Sequence, residues 1–344
     1  RFATGWARSQ VQEAGRIAAE ALAPTIQPFA RPIFDEHRTS KRPMVLATTT
    51  PYDLVAPLAE ALGFDDVVAT RYHDTDGRYD GTLDGEFVWG AAKLRAIERW
   101  AAEHDVDLAE SWAYSDSFYD VPMLGAVGHP VVVNPDPRML AVALVRRWPI
   151  VHLDVPEGVP KLPVLNVEPQ KGMLALGRFT PIPFARFDIA REEHTPAEGP
   201  AIIVGNHRSY FDPLAMGVLF TRRGRPVRFL GKKEVFDAPI VGQLAKALGG
   251  IRVERGTGSD EPLAAAAAAL EMGELVALMP QGTIPRGKAF FDPVLKGRWG
   301  AARLAEMTGA PVIPVGLWGT EKVWPRGEKL PNVPNVLNPP TVRI

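Results

Sequence analysis

Cysteine is missing altogether from the 344 residues. That removes disulfides, thiolate-ligated metals and thiol nucleophiles from consideration. A reducing cytoplasmic setting agrees with the absence without following from it. Long apolar runs are missing too. Nothing approaches the ~18 consecutive apolar residues of a membrane-spanning helix, and the longest bland run, Ala264 to Leu270, reads as the body of a helix. Basic runs with interleaved aromatics are also lacking, so nucleic acid is not an expected partner. The chain opens on Arg1 with no basic-then-apolar leader. It ends on Pro340-Thr341-Val342-Arg343-Ile344, which reads as the opening of a strand. Both ends read as cut, and the natural protein is expected to be longer.

What is present is ordinary globular material, 46% hydrophobic and 23% charged, in a length that suits two domains. Charge divides the same way. Residues 1–160 carry 15 Lys+Arg against 23 Asp+Glu, a net of −8, whereas residues 161–344 carry 24 against 17, a net of +7. The basic half is suited to an anionic ligand or surface. Prolines crowd residues 149–200, and the boundary is placed there, giving domains 1–158 and 159–344.

Apolar spacing gives helices within residues 6–40, then short strands at 44–47, 112–114 and 130–133 with helices at 54–62 and 93–104 between them. In the second half, strands are expected at 201–205, 227–231, 251–254, 275–279 and 311–317. Helices are expected near 212–220, 239–248, 260–273 and 297–308. Alternating strands and helices imply an α/β fold with a parallel sheet in each half.

Ala201-Ile202-Ile203-Val204-Gly205 reads as a buried strand, and Asn206-His207-Arg208-Ser209-Tyr210-Phe211-Asp212 follows at once. His207 then sits where a strand ends and Asp212 where a helix begins, at the sheet edge that binds ligands in open α/β folds. A carboxylate accepting from one ring nitrogen fixes the tautomer and leaves the other nitrogen free to take a proton. Three further polar or glycine-rich stretches each accompany an apolar strand: Gly231-Lys232-Lys233-Glu234 through Arg255, Met279-Pro280-Gln281-Gly282-Thr283-Ile284-Pro285-Arg286-Gly287, and Val312-Ile313-Pro314-Val315-Gly316.

These four blocks, in this order, resemble the glycerophospholipid acyltransferase family over residues 165–344, most of all the 1-acyl-sn-glycerol-3-phosphate acyltransferases. The resemblance implies a glycerolipid acyltransferase α/β domain, with His207 as general base and Asp212 as its orienting partner. His207 would take the proton of the acceptor's hydroxyl as it attacks the thioester of a donor such as acyl-CoA, directly and without a cofactor. The implied product is phosphatidate. Lys232, Arg255 and Arg286 become candidates to hold the acceptor phosphate, and Asn206, Gln281, Gly282 and Thr283 to line the substrate site. One departure stands out. The third block usually carries Glu before Gly-Thr and Arg just after, but here those places hold Gln281 and Ile284.

Residues 43–137 resemble the phosphoserine-phosphatase-like branch of the haloacid dehalogenase superfamily. This implies a Rossmannoid domain whose helical cap would include residues 6–40. Thr48 and Lys93 fall where that family binds phosphate, and Asp116 and Asp120 where it binds Mg²⁺. The family's nucleophile block, Asp-x-Asp-Gly-Thr after an apolar strand, has no counterpart before residue 43. Asp74-Thr75-Asp76-Gly77 imitates it but follows Thr70-Arg71-Tyr72-His73, which is no buried strand, so it reads as a turn.

A lysophospholipid acceptor resides in a bilayer, so peripheral contact with a membrane, at its cytoplasmic face, is expected. Candidate contact segments are Arg178 to Phe187, the arginines Arg222, Arg223, Arg225 and Arg228, and Phe290, Phe291 and Trp299 beside Lys296 and Arg298. Two other functions compete: hydrolysis of a lipid phosphate by the first domain of a longer protein, and a non-enzymatic lipid-binding scaffold.

Overall fold

The computed structural model describes residues 3–162, 167–175, 182–239, 241–253, 261–292, 294, 296–328 and 330–344. They fall into two compact units, Arg1–Asp154 and Val155–Ile344.

In the first unit, strands β1 (Val45–Pro51) and β2 (Asp66–Thr70) pair in parallel across the helix Tyr52–Ala61. A parallel pair requires such a crossover. The helix Arg8–Leu22 lies against that crossover helix so closely that a Cβ on Gly15 would meet the Asp53 carbonyl oxygen at 2.8 Å. Strands β3 (Tyr72–Thr75) and β4 (Arg78–Leu83) form an antiparallel hairpin. Its turn is Asp76-Gly77, at φ 51° and 75°, the left-handed pair of a tight hairpin turn. The turn expected over Asp74–Gly77 is thus narrower, because Asp74 pairs with Tyr79 and Thr75 with Arg78 in the ladder. Strands β5 (Trp112–Ser115), β6 (His129–Val133) and β7 (Ile150–Val151) make a separate parallel sheet. Its core of Leu124, Val132, Met139 and Ala143 also receives Ala47 from β1.

The second unit is built on five parallel strands. After the short β8 (Arg186–Asp188) come β9 (Ala201–Gly205), β10 (Val227–Lys232), β11 (Ile251–Val253), β12 (Leu275–Leu278) and β13 (Val312–Val315). Their order is β11-β10-β12-β9-β13. The central strands read as unbroken apolar runs because helices cover both faces of a parallel sheet, and all four residues of β12 are buried. A last strand, β14 (Thr341–Arg343), pairs with β8. The strand opening expected at residues 340–344 is β14, whereas β8 was not expected, since three residues are too few to show an alternation.

At the amino end of β10 lies a buried ion cluster that the sequence had suggested as membrane-facing charge. Arg228 is fully buried and bonds both Glu168 and Glu274 through its guanidinium, and Lys171 joins the two carboxylates at 2.8 and 3.1 Å. Burial alone would push the Glu168 carboxyl up, but bonds from Arg228 and Lys171 outweigh it and hold it below its ordinary value. The neighbouring arginines are also committed. Arg225 donates to the carbonyls of Pro196, Gly199 and Gly273, Arg223 to Thr195, and Arg222 pairs with Glu192. The proposed arginine patch is therefore largely internal scaffolding.

Phe184 and Phe187, from the other suggested contact segment, pack against Phe211 in the core. Residues 178–181 lie outside the described residues.

Candidate active site

Because the five strands run parallel, the loops that follow them gather on one edge. The loop after β9 carries Asn206 to Phe211 and leads into the helix Asp212–Arg222. Asp212 is wholly buried at the first position of that helix, and its Oδ2 is the hub of the loop. It accepts from the backbone N–H of Arg208 at 2.6 Å and of Ser209 at 2.8 Å, and from His207 Nδ1 at 2.8 Å. Anionic acceptors are favoured at a helix amino terminus, where backbone N–H groups are otherwise unpaired. A carboxylate can only accept, so in the neutral ring Nδ1 carries the proton and Nε2 presents a lone pair. The His207 side chain is 19% exposed, enough for that nitrogen to meet a ligand.

Neighbouring loops hold this loop in place. Asn206 uses both ends of its amide on Leu317, donating to its carbonyl at 2.9 Å and accepting its N–H at 2.6 Å. Gln281 Oε1 accepts the His207 N–H at 2.6 Å. Ser209, fully buried, donates to the Trp324 carbonyl at 2.5 Å. Asn206 and Gln281, expected as substrate contacts, also tie loops together: both ends of the Asn206 amide and the Oε1 of Gln281 are bonded to backbone. The amide–backbone pairing across 111 residues has no local signature in sequence.

Gly282 sits at φ 68°, the left-handed turn that redirects the chain after β12. Thr283 is exposed, Ile284 is buried, and Arg286 is exposed with no ion pair among the described residues. Lys232, half-buried, ends β10, two strands from β9. Arg255 lies outside the described residues. The site therefore brings together His207, Asp212, Asn206 and Gln281, with Gly282 and Thr283 in the adjoining turn.

In the first unit, Lys93 and Asp120 meet deep in the structure, with Nζ 2.7 Å from Oδ1. Asp120 Oδ2 accepts from Ser115 Oγ at 2.8 Å. Thr48 accepts the Thr50 N–H at 3.2 Å, and Asp116 is exposed. Mg²⁺ demands an octahedron of oxygens. Both Asp120 oxygens are engaged, and no three His, Asp or Glu groups converge among the described residues. The residues present do not by themselves fit that ion.

Residues 1–125 match the family model described as haloacid dehalogenase-like hydrolase, and residues 186–318 match the one described as Acyltransferase. The chain joins a haloacid dehalogenase-like domain to an acyltransferase domain.

Among proteins it resembles is the "Inhibition of morphological differentiation protein" of Streptomyces azureus, 39% identical over 180 residues, which are 50% of this chain and 63% of that one. "Phosphoserine phosphatase SerB1" of Mycobacterium tuberculosis is 37% identical over 134 residues, 39% of this chain and 44% of that one. The chain spans about half the length of the relatives it matches. Similar solved structures include a protein of unknown function from Bordetella pertussis Tohama I, at 34% identity and TM-score 0.35 over 36% of this chain and 57% of that one. The 1-acyl-sn-glycerophosphate acyltransferase PlsC of Thermotoga maritima is 24% identical, with TM-score 0.35 over 46% of this chain and 59% of that one.

Proposed function

We propose that the acyltransferase domain moves a fatty acyl group from acyl-CoA to the free hydroxyl of 1-acyl-sn-glycerol-3-phosphate, giving phosphatidate. The observation that carries this reading is the His207–Asp212 pair, with Nδ1 held at 2.8 Å by a carboxylate wholly out of solvent. The lone pair on Nε2 removes the acceptor's proton as its oxygen attacks the thioester carbon. The C–S bond then breaks, and the coenzyme thiolate leaves and takes up a proton. Asp212 keeps the ring turned and stabilises the imidazolium formed on the way. Lys232 and Arg286, together with Arg255 outside the described residues, are assigned to the acceptor phosphate.

Phe291 and Trp299, 78% and 79% exposed in the segment that follows the Gly-Thr turn, support peripheral contact with a bilayer from which the acceptor is drawn. The active face would then lie on the cytoplasmic side. No helix among the described residues is long and apolar enough to cross a membrane.

The test is release of free thiol from acyl-CoA with a panel of lysophospholipids. Release that depends on the acceptor, and is greatest with lysophosphatidate, is the expected outcome. Release that ignores the acceptor would mean simple thioester hydrolysis instead.

For the haloacid dehalogenase-like domain, the 344-residue chain is expected to release no phosphate from phosphoserine or phosphatidate, even with added Mg²⁺. It holds no Asp-x-Asp-Gly-Thr block after a buried strand, and Asp120 is already bound to Lys93. Phosphate release that disappears in Asp116→Ala would refute this and favour the lipid-phosphatase alternative.

A further inference from the structure

Arg208 follows the proposed base directly, yet nothing in its local sequence singles it out. Its side chain is only 12% exposed. The guanidinium carbon lies 4.3 Å from the centroid of the Phe290 ring and 4.4 Å from that of Trp318. Phe290 belongs to the segment after β12 and Trp318 to the loop after β13, the two strands that flank β9. Three loops therefore meet at the guanidinium of the residue that follows His207, with two aromatic rings against it.

Its nitrogens are used unequally. Nε donates to Glu321 Oε2 at 3.3 Å, the long end of the hydrogen-bond range, and that oxygen also accepts the Gly319 N–H at 3.1 Å. Nη1 and Nη2 make no hydrogen bond among the described residues. An arginine serving only as a structural pin spends its terminal nitrogens on carbonyls, as Arg225 does on three of them. Among the described residues Arg208 instead leaves its fork unbonded in a mostly buried setting, held in place by aromatic contacts.

We propose that Arg208 is a specificity-determining residue whose terminal nitrogens hold a phosphate monoester carried by the acyl acceptor. A planar guanidinium offers two parallel N–H groups that match two phosphate oxygens. The acceptor is the favoured carrier because its hydroxyl must reach His207, the adjoining residue. The position also makes sense of the departure in the third block. Where an arginine would follow Gly-Thr, Ile284 is buried and its carbonyl is taken by Arg326, and Arg208 would add its fork to the cations already assigned to the phosphate. Glu321 offsets part of the positive field, which leaves recognition to directional bonds rather than net charge. This inference rests on the acyltransfer reading above for its substrate, but not for its anion.

The test compares the full chain with Arg208→Gln and Arg208→Lys in two measurements. Kinetically, Arg208→Gln is expected to raise the KM for lysophosphatidate by roughly 10- to 150-fold. KM for acyl-CoA and kcat/KM on monoacylglycerol, which has no phosphate, stay as they were, and Arg208→Lys recovers part of the loss. Equal losses on both acceptors would make Arg208 a structural pin. A loss confined to acyl-CoA, and absent with a dephospho-CoA thioester, would assign the fork to the donor; either result overturns the proposal.

Independently of turnover, calorimetry with glycerol 3-phosphate should show binding to the wild type that Arg208→Gln loses, with thermal melts confirming that the variant is folded. Binding without acyl transfer would uphold the fork while sinking the reaction. Transfer with unaltered binding and KM in Arg208→Gln would do the reverse.

Discussion

Replacing His207 with Ala is expected to lower kcat for acyl transfer by about 10²- to 10⁴-fold, the usual contribution of a positioned general base. The loss should fall on kcat rather than on KM for acyl-CoA, because the base acts only as the hydroxyl attacks. The fold should survive, since the ring is partly exposed and its one bond is to Asp212. Asp212→Asn should be damaging by a different route. An amide turned to present its N–H₂ to Nδ1 would drive the ring proton to Nε2 and remove the lone pair the reaction needs. It would also weaken the backbone bonds from Arg208 and Ser209 that shape the loop. Single-turnover kinetics with both variants checks this. A kcat in His207→Ala above about a tenth of wild type, well outside the range for a lost base, would remove His207 from the mechanism.

The largest expected effect on stability lies at the opposite edge of the sheet. Arg228→Met leaves Glu168 and Glu274 facing each other almost without water. Removing one member of a buried ion cluster typically costs about 3–5 kcal/mol. The triple variant Arg228→Met, Glu168→Leu, Glu274→Leu should recover most of that, because an apolar set of similar volume strands no charge. Lys171, 40% exposed, can turn to water. Hydrogen exchange of the β10 amides reports this domain alone, which matters in a two-unit chain where one global unfolding energy is ill-defined. A single variant that loses less than about 1 kcal/mol, far below the expected range, would mean the cluster is not a keystone.

The same cluster sets a pH dependence. The Glu168 carboxyl is held below its ordinary value of 4.5, so its stabilisation is complete above that pH and lost as pH falls through the lowered folded value. Protection of β10 should therefore decline on acidification, and the triple variant should not show the decline.

How much could be read in advance follows from the range over which each feature acts. The strands β9, β10, β12 and β13 announce themselves as apolar runs because a parallel sheet buries both faces, and His207 to Asp212 is a local block. Arg228 could not be placed, because what distinguishes a buried arginine from a surface one is a pair of glutamates 60 and 46 residues away. The arginine-rich stretch accordingly looked like a basic patch. Asn206 shows a related limit: a polar side chain beside a base looks free for substrate until its backbone partners, from another loop, are known. Arg208 shows the converse, since its significance comes from two rings that only the sheet order brings together.

The measurement that bears most directly on the whole account is mass spectrometry of the lipid formed from acyl-CoA and 1-acyl-sn-glycerol-3-phosphate by the wild type and by His207→Ala. The account requires one new species, heavier than the acceptor by the acyl group less one hydrogen. It should form in step with free CoA and fall to background in the variant. Free fatty acid in place of a doubly acylated glycerol phosphate, or the same product in undiminished yield from His207→Ala, would contradict it.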